Sequence, residues 1–458
     1  MRKSIFSLLM IMIFFTGTNA YANCVDTFGI GSKATAMGGA YSAYANDPFA
    51  AYYNPAGLTQ IESMTAAVGS AFMDPNLKAK NYRVVKDNTT ILGGEGGTSF
   101  RDESDLLVVP HLGFAMPINS KFAFGIAAYA PFGLHLKWDD TNTTSNPGAY
   151  NSYESWYTRF VVNPTIAYKV NDKLSVGFGV SIGRSESGTN KNSYDLSQSG
   201  ITGAIEADLT DEVNYSFNMG VMYKPVETVT LGLTYRSRAD ADFEGDLELK
   251  NLSQDEKNTL NGALAANGMT DAFQNNNFKS KIELNDVDHP SQVQFGVRYA
   301  PNDRLSIEGD LVWTNWSNVE NQTVIIKDPY LQALLGTDRE VYKRNWESTR
   351  QIKVGIEYLL NDMFTFRCGY YYDPSPIPDS TFDIVWSDAD KKSYSVGLGA
   401  NLGSWTIDGA FQYVVTELDR EVGGESTNLN HSYGEDATVH AKAEGKIYGY
   451  SMTATYRF

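Results

Sequence analysis

The chain has 458 residues, a net charge of −17 at pH 7, a mean hydropathy of −0.32 and 20% charged residues. The negative charge argues against a nucleic-acid partner, because a protein that binds phosphates needs a basic face. Beyond residue 22, no uninterrupted apolar run reaches the ~20 residues that a membrane-spanning helix needs, which excludes a helical membrane protein. With 28 Tyr, 23 Phe and 40 Gly, the composition is typical of a membrane β-barrel.

The N-terminus has the layout of a secretory signal peptide. Two basic residues at 2–3, an apolar run at 5–15 and small residues at the cleavage positions 20–22 follow one another in the expected order. We therefore expect residues 1–22 to be a signal peptide that is removed. The residues before Cys24 do not fit a lipoprotein signal, so this cysteine is interpreted as an ordinary residue.

The next segment, residues 23–62, does not alternate and is rich in Gly and Ala. Forty residues too apolar for a solvated tail are best placed inside a barrel, as an N-terminal hatch that plugs the lumen. A periplasmic extension is the alternative. Near its end the segment reads Asn54-Pro55-Ala56-Gly57, and a residue before proline is biased away from the helical region. We expect a fixed corner there that joins the hatch to the wall and controls its movement.

The remaining residues, 63–458, alternate between apolar and polar positions and are divided by short turn signals. In outer-membrane barrels short turns lie on the periplasmic side and long loops lie outside, so each interval between two short turns holds two strands. Six short turns make seven hairpins, and the pattern therefore predicts a transmembrane antiparallel β-barrel of about 14 strands. The six turns are Pro117–Ser120, Val170–Asp172, Pro225–Glu227, Pro301–Asp303, Leu360–Asp362 and Leu402–Ser404.

Alternation also sorts the charged residues of the wall onto one face of each strand. A Lys or Arg that faces lipid at the midplane costs ~2–4 kcal/mol, so these side chains should point into the lumen. There they either pair with inward acids or bind the carboxylate of a ligand. The inward cations are Arg159, Arg236, Arg298, Lys353 and Arg367, and the inward acids include Glu308, Asp310, Glu357 and Asp408. The same parity places Cys368 towards lipid.

The chain ends in strict alternation from Ile447 to Phe458, with aromatic and apolar residues on one face. A period of two indicates a strand with one apolar side. A soluble sandwich could end in the same way. However, a terminal Phe with aromatic residues two and ten positions before it resembles the signal by which the insertion machinery recognises outer-membrane barrels, so we expect that machinery to be a partner.

The hatch segment carries a more specific resemblance. Its run from Gly29 to Tyr41, Gly-Ile-Gly-Ser-Lys-Ala-Thr-Ala-Met-Gly-Gly-Ala-Tyr, is followed by Asp47 and by Asn-Pro-Ala-Gly-Leu at 54–58. This pattern resembles the hatch of the outer-membrane long-chain fatty acid transporter family (FadL type), which also includes aromatic hydrocarbon transporters. The likeness continues through residues 117–134 and 372–379 to the C-terminus. It implies a monomeric, plugged, fourteen-stranded barrel in the cell outer membrane that takes up hydrophobic molecules passively, without a cofactor or metal.

The resemblance also implies a side exit through a break in the third strand. An apolar tail gains ~0.8 kcal/mol for each CH₂ that stays out of water, so a ligand that leaves sideways into the membrane avoids this cost. The matching stretch, Ile126–Leu136, contains Pro131-Phe132-Gly133. Proline cannot donate to the strand ladder and glycine weakens it, which favours a gap here. The alternative is a proline at a strand end, and the break in the family does not depend on proline.

Two outer loops carry apolar residues at helical spacing. A capping box at residues 253–256 precedes Leu260 and Leu264, and an earlier loop carries Ile201, Ile205 and Leu209. In the family that the chain resembles, the corresponding loops form a first, weak binding site. We expect a capture groove between these stripes, and packing of one stripe on the other is the alternative.

No catalytic constellation is evident, and the five His residues lack metal-ligand spacing. We therefore predict a transporter and not an enzyme, with long-chain fatty acids as the leading substrate and aromatic hydrocarbons as the alternative. An outer-membrane lipid hydrolase and an adhesin are the competing classes. A hydrolase needs a nucleophile beside an inward His, whereas an adhesin needs no plug. Outer-membrane lipid and lipopolysaccharide complete the expected partners.

Overall fold

The computed structural model describes residues 28–138, 146–192, 203–434 and 436–458, apart from 267, 270–272, 274 and 276. The expected signal peptide and Cys24 lie outside these residues. The described chain forms one antiparallel sheet that closes on itself, because its first and last strands pair from Thr65↔Arg457 to Lys86↔Ala437. The closed sheet is a barrel of 14 strands, as the turn pattern predicts.

Five of the wall strands are interrupted near their outer ends, and a short extra strand, Thr89–Leu92, folds back on the outer end of the first strand. In chain order the wall strands are β1 (Thr65–Lys86), β2 (Thr98–Arg101 and Leu107–Pro117), β3 (Phe122–Lys137), β4 (Glu154–Asn171), β5 (Leu174–Asn192), β6 (Ala204–Val226), β7 (Val229–Arg236 and Phe243–Lys250), β8 (Phe278–Asn285 and Gln292–Tyr299), β9 (Leu305–Thr314 and Asn321–Ile326), β10 (Arg339–Lys343 and Thr349–Leu359), β11 (Phe364–Asp373), β12 (Lys391–Leu402), β13 (Trp405–Gly423) and β14 (Ala437–Arg457).

All six predicted turns lie between consecutive strands at one end of the barrel. Inside and outside alternate along the wall as expected: Phe295 and Leu311 are exposed on the outer face, whereas Glu308 and Asp310 are buried on the inner face. Cys368 pairs with two apolar residues of the outer face, Ile356 and Val396. The inward placement of polar side chains is thus explained by the lipid that the outer face must meet.

Residues 28–64 fill the lumen as the hatch. The hatch contains helices α1 (Ser32–Ala36) and α2 (Ala50–Tyr53) and a 3₁₀-helix, Pro55–Gln60. It fits because small residues face it from the wall. A Cβ built on Gly369 of β11 would lie 2.1 Å from the backbone N of Gly38, so the hatch backbone rests directly on a glycine of the wall.

The outer loops carry α3 (Gln254–Ala266), α4 (Pro329–Leu335), α5 (Thr427–His431) and the 3₁₀-helices Pro147–Tyr150, Trp316–Asn318 and Asp379–Thr381. The capping box of α3 forms as predicted, since Glu256 N–H donates to Ser253 Oγ at 3.2 Å and the Glu256 carboxylate accepts from Ser253 N–H. None of the helices in the described ranges is long and apolar enough to cross a membrane.

The helical interpretation of the stripe at 201, 205 and 209 is wrong for its described part. Ile205 and Leu209 lie in β6 and not on a helix, and Ile201 lies outside the described residues. A spacing of four places residues on one face of a helix but also on one face of a strand, because four is an even number. The pattern therefore could not separate the two structures.

Candidate ligand path and hatch

The edge of β3 is open towards β2 in the outer half of the wall. Pairing between the two strands ends at Leu112↔Ala128 and resumes at the bridge Asp102↔Trp138, beside which Glu103 N–H donates to Lys137 O at 2.6 Å. Between these points β3 keeps only its other neighbour, β4. We call the unpaired edge, residues 129–136 of β3, the side window. It lies entirely within Ile126–Leu136, the stretch in which the sequence analysis expects a wall break.

The chain itself bulges inside the side window. The register between β3 and β4 shifts between Tyr129 and Phe132, so that Ala130 and Pro131 of β3 stand opposite the single residue Phe160 of β4. Proline has no N–H for the missing β2 bond, which is the local reason that the sequence indicates. The bulge restores Phe132 to the inward face, where it is 6% exposed. The hatch reaches the lower end of the window through an edge contact between Tyr52 and Tyr129 with ring centres 5.1 Å apart.

Above the hatch, Phe132 belongs to a closed ring of six aromatic side chains at the outer end of the lumen. Neighbouring ring centres lie 5.0–6.0 Å apart. In order around this aromatic ring stand Phe132, Trp316, Trp346, Trp386, Tyr157 and His289. The buried indole N–H groups of Trp346 and Trp386 lack hydrogen-bond partners among the described residues. Five members of this ring, all but His289, belong to one buried apolar cluster.

Both ring nitrogens of His289 have hydrogen-bond partners within the wall. Its Nδ1 lies 2.8 Å from Tyr157 Oη and its Nε2 lies 2.8 Å from Ser185 Oγ. An uncharged imidazole that donates through one nitrogen and accepts through the other satisfies both contacts without adding charge to an apolar passage.

Arg159 of β4 is the inward cation nearest to the side window, since it pairs in register with Phe132. The side chain is 4% exposed and donates to Asn214 Oδ1 at 2.7 Å and to Ser216 Oγ at 3.0 Å. Both partners are neutral, and no carboxylate of the described chain lies within ion-pair distance of this guanidinium. A buried charge is normally paired, so the arrangement leaves Arg159 suited to an anionic group.

The other four predicted cations have partners in the hatch or wall. Arg367 makes ion pairs with Glu357 and Asp408, each at 2.7 Å. Arg236 donates to Tyr52 O at 3.1 Å. The guanidinium of Arg298 lies 3.9 Å from the ring centre of Tyr44, and Lys353 stands opposite Asp310 in register. Pairing with inward acids therefore describes Arg367 better than binding of a ligand carboxylate does.

Two acids of β9 hold the hatch backbone, a contact that the sequence analysis missed. Glu308 Oε1 accepts the N–H of Ala43 at 2.7 Å, and Asp310 Oδ2 accepts those of Tyr41 and Ser42 at 3.2 and 3.1 Å. We call this contact the hatch clamp. The partners are more than 260 residues apart in the chain, so no local pattern could connect them.

The expected corner of the hatch lies at Asn54, whose backbone is extended. Its Nδ2 donates to Ser42 O at 2.7 Å and to Val221 O of β6 at 3.0 Å, while its Oδ1 caps the following 3₁₀-helix by accepting from Ala56 N–H. The close fit extends to the wall, because a Cβ at Gly220 would lie 2.1 Å from Asn54 Oδ1. One side chain thus ties two parts of the hatch to β6. Its role in gating stays a prediction.

The residues expected to line a capture groove are packed together. Leu260 and Leu264 of α3 are 1% and 0% exposed and share an apolar cluster with Phe273 and Leu331. Ile205 packs against the same cluster. In this conformation the two leucines present no surface to a ligand, and packing accounts for their helical spacing.

Comparisons with known proteins identify the family of this barrel. The sequence profile of the family described as "Outer membrane protein transport protein (OMPP1/FadL/TodX)" matches residues 12–458. A long-chain fatty acid transport protein of Escherichia coli O6:H1 is 24% identical over 450 residues, covering 93% of both chains. Outer membrane protein P1 of Haemophilus influenzae is 23% identical over 442 residues, covering 87% of this chain and 88% of the relative.

Solved structures share the fold. A crystal structure of a Pseudomonas aeruginosa FadL homologue superposes with a TM-score of 0.81 at 21% identity, covering 95% of this chain and 100% of the other. The Pseudomonas putida toluene transporter TodX superposes with a TM-score of 0.66 at 14% identity, covering 94% and 99%. At these identities the superpositions establish the plugged barrel fold and no residue's role.

Proposed function

The chain belongs to the OMPP1/FadL/TodX family of outer-membrane transport proteins for hydrophobic compounds, and from this premise we propose that its substrate is a long-chain fatty acid. The ligand is captured at the outer loops, passes the aromatic ring, and leaves through the side window into the membrane after the hatch moves. The relatives named as long-chain fatty acid transport proteins support this substrate class.

One observation carries the proposal: the buried guanidinium of Arg159 makes no ion pair with a carboxylate of the described residues and stands beside the side window. A fatty acid offers the missing carboxylate, and a charge-assisted hydrogen bond to arginine is stronger than a neutral one. The apolar tail can meanwhile contact Phe132 and reach the outer leaflet through the unpaired edge of β3. Each methylene kept out of water on this route retains ~0.8 kcal/mol.

The aromatic ring favours a second candidate, an aromatic hydrocarbon. Six aromatic side chains in mutual contact offer edge and face contacts to a ligand ring that enters between them, each such pair contributing ~0.5–1.5 kcal/mol beyond area burial. A neutral hydrocarbon, however, offers Arg159 no direct ion pair, and the nearby Asp211 reaches it only through Asn214. The two candidates therefore differ in what they require from a single side chain.

Binding and uptake of both ligand classes by an Arg159→Gln variant test the proposal. Palmitate and toluene are offered to the purified protein and to Escherichia coli cells that lack their own long-chain fatty acid transporter. We expect palmitate affinity to fall at least about tenfold, the worth of one charge-assisted contact, while toluene binding stays unchanged. Arg304→Gln, at an exposed periplasmic turn, serves as the control. Toluene binding with no measurable palmitate binding by the wild type would replace the first candidate with the second.

A further inference from the structure

A cavity of about 1100 Å³ opens on the outer surface of the barrel, away from the ligand path. Its wall side is formed by the outward-facing ends of β1, β13 and β14, and its far side by the segment between β11 and β12. The lining residues are Asn76, Lys78, Ser375, Ile377, Pro378, Asp379, Ala389, Asp390, Val415, Thr416, Glu444, Gly445, Lys446 and Tyr448. None of the proposed steps of transport uses this cavity.

The cavity sits where the apolar outer face of the barrel ends. On β14 the outward residues Met452 and Tyr450 are 60% and 50% exposed and belong to the lipid-facing band, and Tyr448 is the last aromatic residue of this row. The next outward position is Lys446. An apolar band ~25 Å tall, flanked by aromatic residues, spans the hydrocarbon region of an outer membrane. The cavity therefore lies at the depth of the outer-leaflet headgroups.

Lysines gather on this part of the outer face although the whole chain carries a net charge of −17. Asn76 pairs with Lys446, Lys78 with Glu444, and Lys80 with Lys442 across β1 and β14. Like charges directly opposite one another, as in the Lys80–Lys442 pair, destabilise a sheet unless an anion lies between them. Glu444 supplies part of the negative charge that these lysines need, through an ion pair with Lys80 at 2.5 Å. Lys78 and Lys446 have no ion pair in the described chain.

The acids of the cavity are already engaged. Asp390 accepts from Tyr372 Oη at 2.6 Å and from Ser375 N–H at 2.9 Å, and Glu444 is held by Lys80. Asp379 also has a partner within the protein. Lys78 and Lys446 line the cavity from the wall side without an ion pair in the described chain, Glu444 stands opposite Lys78 in register, and Asp379 and Asp390 lie on the far side. The amide of Asn76 and the hydroxyl of Ser375 are neutral hydrogen-bond groups of the lining.

We propose that this cavity binds the phosphorylated sugar headgroup of lipopolysaccharide, with Lys78 and Lys446 as the phosphate-binding residues. The outer leaflet of this membrane presents such headgroups at the depth of the cavity, and lysine recognises phosphate as a point charge. A bulky sugar fits the cavity volume, which a glycerol headgroup would leave mostly empty. Bound lipid would anchor the β1–β14 seam where the barrel closes.

Native mass spectrometry of the purified full-length barrel tests the site. Diphosphoryl lipid A, dephosphorylated lipid A, phosphatidylglycerol and inorganic phosphate are each titrated onto the wild type, onto Lys78→Gln/Lys446→Gln, and onto the charge-matched control Lys121→Gln/Lys173→Gln at the periplasmic turns. We expect the first double variant to bind diphosphoryl lipid A roughly tenfold more weakly than the wild type and the control to bind it equally well. Dephosphorylated lipid A should bind the wild type as weakly as diphosphoryl lipid A binds the variant.

Three results would overturn the proposal. Equal binding of diphosphoryl lipid A by both double variants would remove the two lysines from the site. Equal binding of phosphatidylglycerol and lipid A would reduce the patch to unspecific attraction of anionic lipid. Displacement of lipid A by millimolar inorganic phosphate would make this a site for free phosphate. A temperature-resistant fast-migrating band on a gel confirms that each variant is folded, and palmitate binding, which tests the transport proposal, is measured separately on the same samples.

Discussion

The backbone N–H of Ala43 donates to Glu308 Oε1 across 2.7 Å, which fastens the hatch to β9 at a point where neither partner meets water. Asp310, two residues further along the inner face, holds the N–H groups of Tyr41 and Ser42. Opposite these acids stand Arg298 and Lys353 on the neighbouring strands, so the clamp carries charge of both signs. Movement of the hatch requires these bonds to break.

The clamp gives a first prediction, on Asp310→Asn. The substitution keeps the size of the side chain but exchanges charge-assisted hydrogen bonds for neutral ones, which contribute ~1 kcal/mol less each. We expect amide exchange at residues 41–43 to become about thirtyfold faster, since the two weakened bonds together lose ~2 kcal/mol and ~1.4 kcal/mol corresponds to a factor of ten. Hydrogen–deuterium exchange with mass spectrometry measures this rate. Asp303→Asn at the adjoining periplasmic turn should leave it unchanged, and equal rates in the two variants would mean that the clamp does not hold the hatch.

A second prediction concerns the seat of the hatch at Gly369. A Cβ at this position would lie 2.1 Å from Gly38 N and 2.2 Å from Met37 C, and both of these hatch atoms belong to backbone that cannot move aside cheaply. We expect Gly369→Ala to displace residues 37–39 and to make the hatch sensitive to protease added from the periplasmic side. Gly409→Ala is the control, because its nearest neighbour lies at 4.0 Å. A protected hatch in Gly369→Ala would show that the seat tolerates a side chain.

The outer-loop cluster provides a third prediction. Leu264 is fully buried among the apolar residues around α3, and truncation of a buried leucine to alanine costs ~2–5 kcal/mol. We expect Leu264→Ala to expose α3 to protease added outside intact cells, with palmitate binding at the lumen retained. Ala265→Ser on the exposed side of α3 is the control. Loss of surface palmitate binding in a variant whose α3 stays protected from protease would instead support the hypothesis of a capture groove.

The sequence predicted the wall well because the information there is local. A period of two and six short turns are readable in windows of about ten residues, and they place Glu308 and Asp310 inside. Contacts across the lumen are different, since nothing near Glu308 indicates Ala43 as its partner. The aromatic ring was missed for the same reason, as its six members come from six separate stretches of chain. Ile205 was wrongly assigned to a helix, because a spacing of four residues fits one face of a helix and one face of a strand equally well.

The side window leads to the last prediction, on Pro131→Val/Gly133→Val. Pro131 supplies no N–H in the part of β3 that no longer pairs with β2. The bulge at Ala130 and Pro131 keeps the edge of β3 away from the edge of β2. Valine restores the donor and favours extended backbone, so pairing with β2 should extend beyond Ala128. We expect this variant to bind palmitate with the affinity of the wild type but to lose most palmitate uptake, because the ligand enters the lumen and finds the wall closed. Amide exchange at residues 129–136 reports whether the edge has paired, and Val170→Ile at the periplasmic end of β4 controls for changes elsewhere in the wall. Uptake equal to that of the wild type through a wall shown to be closed would exclude the side window as the exit. The route would then have to run past the hatch, and Asp310→Asn should in that case raise uptake while leaving the window unchanged.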